Sequence, residues 1–284
     1  MTAQSPQQSP LWPARLHHIQ IGTPQPAALA AFYQRTFGYQ ATLLADGRRH
    51  LRGGERRLLI AEGAARSVGF GAYALESPRQ LAALRGHLEE RGIAPQPSPT
   101  PLFTAAAFAV RDPEGGQIVF GLPTEDGRAA DALPGRLQHL VVTTVDLPRS
   151  AAFYEDVLGF VVSDRVVNDE GVMTTCFFRS DPEHHSFAAF LAAEARLDHH
   201  ALEVPCWNDI RDWADHCAAL DVPITWGPGR HGPGNNLFFM VSDPDGNMVE
   251  ISSELEHMPR EMAPRQWPHT ARSLNLWGSA IMRI

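Results

Sequence analysis

The sequence predicts a mixed α+β protein made of two tandem modules, each of paired β-α-β-β-β units with curved sheets. Two observations carry that expectation. First, Leu16-His17-His18-Ile19, Ala31-Phe32-Tyr33 and Gly38-Tyr39 recur as Leu137-Gln138-His139-Leu140, Ala152-Phe153-Tyr154 and Gly159-Phe160. The spacing is 121 residues each time (139 − 18, 153 − 32, 159 − 38). Second, Asp112-Pro113-Glu114-Gly115 returns as Asp243-Pro244-Asp245-Gly246, at a spacing of 131 (243 − 112). A fixed period of this kind marks a duplicated unit, and the small drift marks loop insertions in the second copy.

The elements follow in order. Residues 1–15 are rich in Pro, Gln and Ser and read as a loose arm. The first module spans 16–122. Its apolar opening strand precedes a helix over Pro26–Phe37, closed by Gly38-Tyr39, and a second helix lies near Pro78–Gly92. A Pro/Gly/Asp-containing linker covers 123–135. The second module spans 136–255 and repeats the pattern, with its second helix near Asn208–Leu220. The Asp-Pro-x-Gly tetrapeptides read as turns between strands, because proline presets φ and glycine supplies positive φ. Residues 256–284 form a tail too aromatic to be disordered.

Composition narrows the function. A chain of 284 residues has room for two domains, and 44% hydrophobic residues is ordinary for a globular protein. The net charge is −8, and all 24 basic residues are Arg without a basic run, which argues against nucleic-acid and membrane partners. No apolar stretch approaches the roughly 20 residues of a membrane span. Met1-Thr2-Ala3-Gln4-Ser5-Pro6 does not read as a signal peptide. Cys176, Cys206 and Cys217 are odd in number and lack metal-type spacing, so they read as reduced, buried thiols of a cytoplasmic protein.

Three strand-like runs carry metal-capable side chains. They are Leu137 to Val142 with His139, Asp198 to Val204 with His199 and His200, and Asn247 to Ser252 with Glu250. Only one of His199 and His200 can face inward on a strand. Two neutral imidazoles and one carboxylate on one face leave open positions, the arrangement of non-haem Fe(II) oxygenases.

The duplicated module, the His-led strands, the Ala-Phe-Tyr helix and the closing Asp-Pro-Asp-Gly-Asn strand resemble the vicinal-oxygen-chelate superfamily (glyoxalase, bleomycin resistance, dioxygenase) over residues 14–255. Within it, two modules with the metal site in the second resemble the type I extradiol ring-cleavage dioxygenases. The resemblance implies sheets curled into partly open barrels, each around a cavity. It implies ring cleavage of a small catecholic substrate with O2, Fe(II) as cofactor with Mn(II) as the alternative, and homo-oligomeric assembly. The family pattern His-x-Ala selects His199, completing the set His139, His199 and Glu250. The first copy has His18, Phe70 and Val119 at these positions, so only the second module is expected to hold metal.

Further roles follow from the same resemblance. Glu183-His184-His185-Ser186-Phe187-Ala188 resembles the segment that places a histidine beside dioxygen; His185 takes that role, and His184 reads as a solvated edge residue. Gly229-Arg230-His231-Gly232-Pro233-Gly234-Asn235-Asn236 resembles a substrate loop, with His231 as an acid or hydroxyl partner and Asn235 beside it. Met240 stands where these dioxygenases have a tyrosine, and a thioether cannot donate a hydrogen bond. That departure leaves open a metal-dependent isomerase or other oxygenase on a non-catechol substrate, and a metal-free binding or resistance protein. The tail is expected to pack over the barrel mouth or a subunit interface, or to act as a lid through Arg265, Trp267 or Trp277.

Overall fold

The computed structural model describes residues 9–124 and 133–282. The first module runs β1 (Ala14–Thr23), α1 (Pro26–Phe37), β2 (Gln40–Leu43), β3 (Arg49–Gly53), β4 (Arg56–Glu62), β5 (Ser67–Leu75), α2 (Pro78–Glu90), β6 (Gln96–Pro97), β7 (Phe108–Arg111) and β8 (Gln117–Gly121). The second runs β9 (Arg136–Thr144), α3 (Leu147–Ala152), β10 (Val161–Val167), β11 (Met173–Arg179), β12 (Phe187–Leu191), β13 (Arg196–Glu203), α4 (Trp207–Ala219), β14 (Ile224–Arg230), β15 (Leu237–Ser242) and β16 (Met248–Ser253). Strand β17 (Arg265–Pro268) and helix α5 (Ala271–Leu274) complete the tail. Each module is thus two β-α-β-β-β units.

The helix ends obey local rules. Pro26 and Pro78 sit in the first turn of α1 and α2, where a missing N–H costs nothing. Ser77 and Asp146 cap α2 and α3 by accepting the Gln80 and Arg149 amides. Helix α1 stops at Gly38 and the π-helical turn after α3 stops at Gly159, both with positive φ.

The two sheets are open. Their strand orders are β2-β3-β4-β1-β5-β8-β7-β6 and β14-β15-β16-β13-β9-β12-β11-β10-β17. In each, the opening strands of the two units pair antiparallel at the centre, β1 with β5 and β9 with β13. The tail strand β17 extends the second sheet beside β10.

The modules share one apolar core, in which Phe37, Leu51 and Tyr73 join Tyr154, Phe187 and Trp213. Two crossed hydrogen bonds fasten them. Tyr33 donates to Asp243 (3.1 Å), and Tyr154 donates to Asp112 (3.3 Å). Each repeated tyrosine reaches the Asp-Pro-x-Gly turn of the other copy.

Two expectations need correction. The segment before β1 is not loose throughout: Leu11 is fully buried, Ser9 donates to the Leu158 carbonyl, and β1 already starts at Ala14. Cys206 is exposed, because it occupies the N-cap of α4, where Asp209 accepts its backbone N–H; Cys176 and Cys217 are buried. Of the 123–135 linker, residues 125–132 lie outside the described residues. No helix among the described residues is long and apolar enough to cross a membrane.

Candidate metal centre

The centre is set by strand register. On β13, Ala201 pairs with His139 of β9 on one side and with Glu250 of β16 on the other. His199 lies two residues before Ala201, so all three side chains leave the same face of the sheet. The small Ala201 between them lets the ligands converge. His200, on the opposite face, stacks on Tyr33 at the module boundary.

All three groups are buried, none more than 5% exposed. The Nε2 atoms of His139 and His199 are 3.3 Å apart, and the near Glu250 oxygen is 3.7 and 3.4 Å from them. The residue before each histidine fixes its proton. His199 donates through Nδ1 to Asp198 (2.6 Å). Gln138 spends its amide N–H groups on Glu183 and the His185 carbonyl, which leaves its oxygen to accept from His139 Nδ1. A neutral imidazole has one N–H. Both Nε2 atoms therefore present lone pairs, to each other and to a carboxylate.

Charge agrees with this reading. Burial pushes the Glu250 carboxyl up, but the surrounding imidazoles outweigh it and hold the group at about 2. Burial lowers His139, with Glu250 opposing. An acceptor-only cluster with no donor between its members calls for a cation. Ligand atoms about 2.1 Å from one ion, at angles of 90–110°, lie about 3.0–3.4 Å apart, close to the spacings found. The donor set fits a divalent metal.

The surroundings add two imidazoles. His185 is buried, with its ring 4.3 Å from that of His139. His231 stacks flat on Phe238 (centroids 3.7 Å apart, planes at 4°) and donates through Nδ1 to the Leu274 carbonyl (2.6 Å). Its Nε2 is 3.9 Å from Glu250. Burial draws His231 down to about 4 and His185 well below its ordinary value, so both are neutral. Met240 is fully buried in the pocket wall with Trp226, Phe177 and Phe190. The space between these walls is about 30 Å³, roughly one water.

Some sequence assignments change. Asn235 is exposed at φ 54° and does not line the pocket. Its neighbour Asn236 does, and donates to Glu250 and Ser252 (2.9 Å each). Strand alternation beyond the turn at Gly234 was the signal that could have chosen it. His184 is not a solvated edge residue: it is fully buried between His185 and Asp164. Arg265, Trp267 and Trp277 are all absent from the pocket lining, to which the tail contributes Ser273 and Leu274. A larger cavity, about 290 Å³, lies at the module boundary by Gly71, Asp112 and Tyr154, away from the histidine cluster.

In the first module the same register holds other chemistry. Ala72 pairs with His18 and Val119, and Phe70 lies two residues before it. His18 is fully buried and satisfied, through Thr100 (2.7 Å) and His17 (2.8 Å), and Phe103 packs on it.

The fold and this centre define a class, and comparison with known proteins agrees. Residues 15–120 and 136–251 match the Glyoxalase/Bleomycin resistance protein/Dioxygenase superfamily, and the chain belongs to that family. It is 31% identical to metapyrocatechase 2 of Cupriavidus necator over 201 residues, which are 69% of this chain and 59% of that protein. The match thus spans about three fifths of that relative's length. In three dimensions it resembles homoprotocatechuate 2,3-dioxygenase from Arthrobacter globiformis (TM-score 0.79, 24% identity, 99% of this chain, 91% of that one). It also resembles a Mn(II)-bound glyoxalase from Novosphingobium aromaticivorans (TM-score 0.80, 24% identity, 93% of this chain, 91% of that one).

Proposed function

We propose that the protein is an extradiol-type dioxygenase that cleaves a small catecholic ring with O2, using a divalent metal held by His139, His199 and Glu250 in module 136–255. Fe(II) is the favoured ion and Mn(II) the alternative. The observation that carries this reading is the acceptor-only cluster, flanked by two further neutral imidazoles on the same pocket. The names of the relatives above point the same way.

A bound cation would supply Lewis acidity and a template for vicinal oxygens. The chain's own residues do the rest. Gln138 and Asp198 hold the ligand rings through Nδ1, and Asn236 orients Glu250. His231 and His185 take up and return protons at the substrate hydroxyls. Trp226, Phe177, Phe190 and Met240 exclude water and give the ring apolar surface. An aromatic ring needs a cavity of about 150 Å³, so substrate entry displaces part of the wall.

The test is anaerobic reconstitution with Fe(II), followed by oxygen-electrode and absorbance assays over a catechol panel. Oxygen uptake with a new yellow chromophore is expected, and is lost in His199→Ala and Glu250→Ala. Activity falls in acid as the ligand imidazoles take up protons. Met240 and the likeness to a Mn(II) glyoxalase structure favour one second reading, a metal-dependent isomerase on a non-catechol substrate. Tight metal binding without catechol-dependent oxygen uptake, or turnover under strict anaerobiosis, would move the assignment there.

A further inference from the structure

Asp164 lies in β10, away from the metal cluster, yet it is fully buried and accepts from four N–H groups. Arg265 supplies two (2.8 and 3.0 Å), Trp267 one (2.8 Å) and His184 Nε2 the fourth (2.9 Å). Arg265 also holds Glu256 (2.7 and 3.0 Å). A carboxylate has no proton to give, so His184 carries its proton on Nε2. Arg265 is shared between Asp164 and Glu256, and burial lowers His184 below its ordinary value against the pull of Asp164, so its ring is neutral. Its Nδ1 is then an acceptor. The His185 Nδ1 atom, 2.8 Å away, must be the donor. A neutral His185 is left with a bare Nε2.

The second arm reaches the same state by a shorter route. Helix α5 is a single turn, and its last carbonyls have no partner within the helix. The Leu274 carbonyl, which can only accept, takes the Nδ1 proton of His231, and the Phe238 stack fixes the ring plane. The turn is itself tied down, since Gly232 donates to the Ser273 carbonyl and Leu276 to the Arg230 carbonyl.

We propose that the C-terminal tail sets the tautomers of both pocket histidines: Arg265 and Trp267 act through Asp164 and His184 on His185, and Leu274 acts directly on His231, so that each ring offers an unprotonated Nε2. Asp164 and His184 are positioning residues. Residues 256–284 are then part of the reaction machinery, although no tail side chain need touch the reacting atoms. The consequence for turnover rests on the dioxygenase reading; the proton positions do not.

The measurement is long-range ¹H–¹⁵N correlation on histidine-labelled full chain loaded with diamagnetic Zn(II). His185 and His231 should both show a protonated Nδ1 and a bare Nε2. A proton on Nε2 of either ring in the wild type overturns the proposal. Asp164→Ala removes the acceptor that holds the His184 proton on Nε2. The expected result is that His184 and His185 each populate both tautomers, with His231 unchanged. An unaltered His185 overturns the Asp164 arm. Should that variant not fold, His184→Phe removes the acceptor, and His185 should then populate both tautomers; a single Nδ1–H species overturns the arm. Under the dioxygenase reading, Asp164→Ala lowers kcat by about 10- to 100-fold with KM nearly unchanged. A raised KM at constant kcat overturns the positioning role, whereas oxygen-independent chemistry would leave the spectra intact and overturn only the reaction.

Discussion

The two modules share one backbone plan and hold opposite chemistry in it. In both, an alanine at the centre of the sheet (Ala72 or Ala201) has one decisive neighbour on each flank and a third two residues before it on its own strand. In the second module those places hold His139, His199 and Glu250; in the first they hold His18, Phe70 and Val119. The first cavity is filled by Phe70, Phe103, Leu59 and Val119, and its histidine is satisfied by Thr100. The second keeps its acceptors facing one another. The register supplies convergence, and three side chains decide whether the convergence is a site or a core. The contrast reverses at the module boundary. There His200 and Asn247 occupy the second module's positions and Gly71 and Gly116 the first's, and the cavity of about 290 Å³ opens beside the glycines.

The largest expected effect breaks the contrast at the ligands. His139→Ala, His199→Ala or Glu250→Ala should each weaken metal binding by well over about 100-fold, more than loss of an outer-shell partner costs. His18→Ala should leave metal content at one ion per chain by elemental analysis. Two ions in the wild type would dissolve the distinction between the modules. The next change moves the first module toward the second. Val119→Glu places an unpaired carboxylate in the apolar cluster and should cost about 3–5 kcal/mol in urea unfolding without creating a second metal site.

Acid tests the boundary. Burial pulls His200 to about 3, and neither ring nitrogen has a hydrogen-bond partner among the described residues. The unfolded chain takes up this proton near pH 6.5, which the folded chain refuses until far lower. The contribution is therefore complete above about 6.5 and is lost as pH falls, reaching about 2 kcal/mol of destabilisation at pH 5. His200→Phe should flatten that part of a pH–stability profile, and an unchanged profile would assign the acid sensitivity elsewhere. The smallest effect compares the crossed tyrosines. Tyr33→Phe takes one donor from buried Asp243, which keeps those of Asp245 and Asn247, and should cost about 1 kcal/mol. Tyr154→Phe should cost less, because Asp112 borders the open cavity and can take water in place of the phenol.

Much of this was legible in the sequence because it is local or periodic. The spacing of 121 marked the duplication, and Pro26 and Gly38 bracketed α1 to the residue. The ligand runs were readable because a lone histidine or glutamate interrupts an apolar strand. What escaped depends on contacts distant in sequence. Asp164 reads as an ordinary strand residue until Arg265, 101 residues later, is seen to pair with it. His184 looks like half of a repeated pair, and only the fold distinguishes a solvated edge from a buried relay. Asn235 and Asn236 differ by one position, which a positive-φ turn converts into opposite surroundings. Gln138 and Asp198 were within reach: each is a polar residue directly before a ligand histidine in a buried strand.

The crossed tyrosine clasps bear on where such a chain comes from. Alone, either half would carry one tyrosine without its carboxylate and one carboxylate without its tyrosine. A second copy of the same half would supply both in reverse, so two identical halves could complete each other as these two do. In the single chain, the first half grips the second through these clasps without holding the ligands itself. The inert module persists as the scaffold its sibling needs.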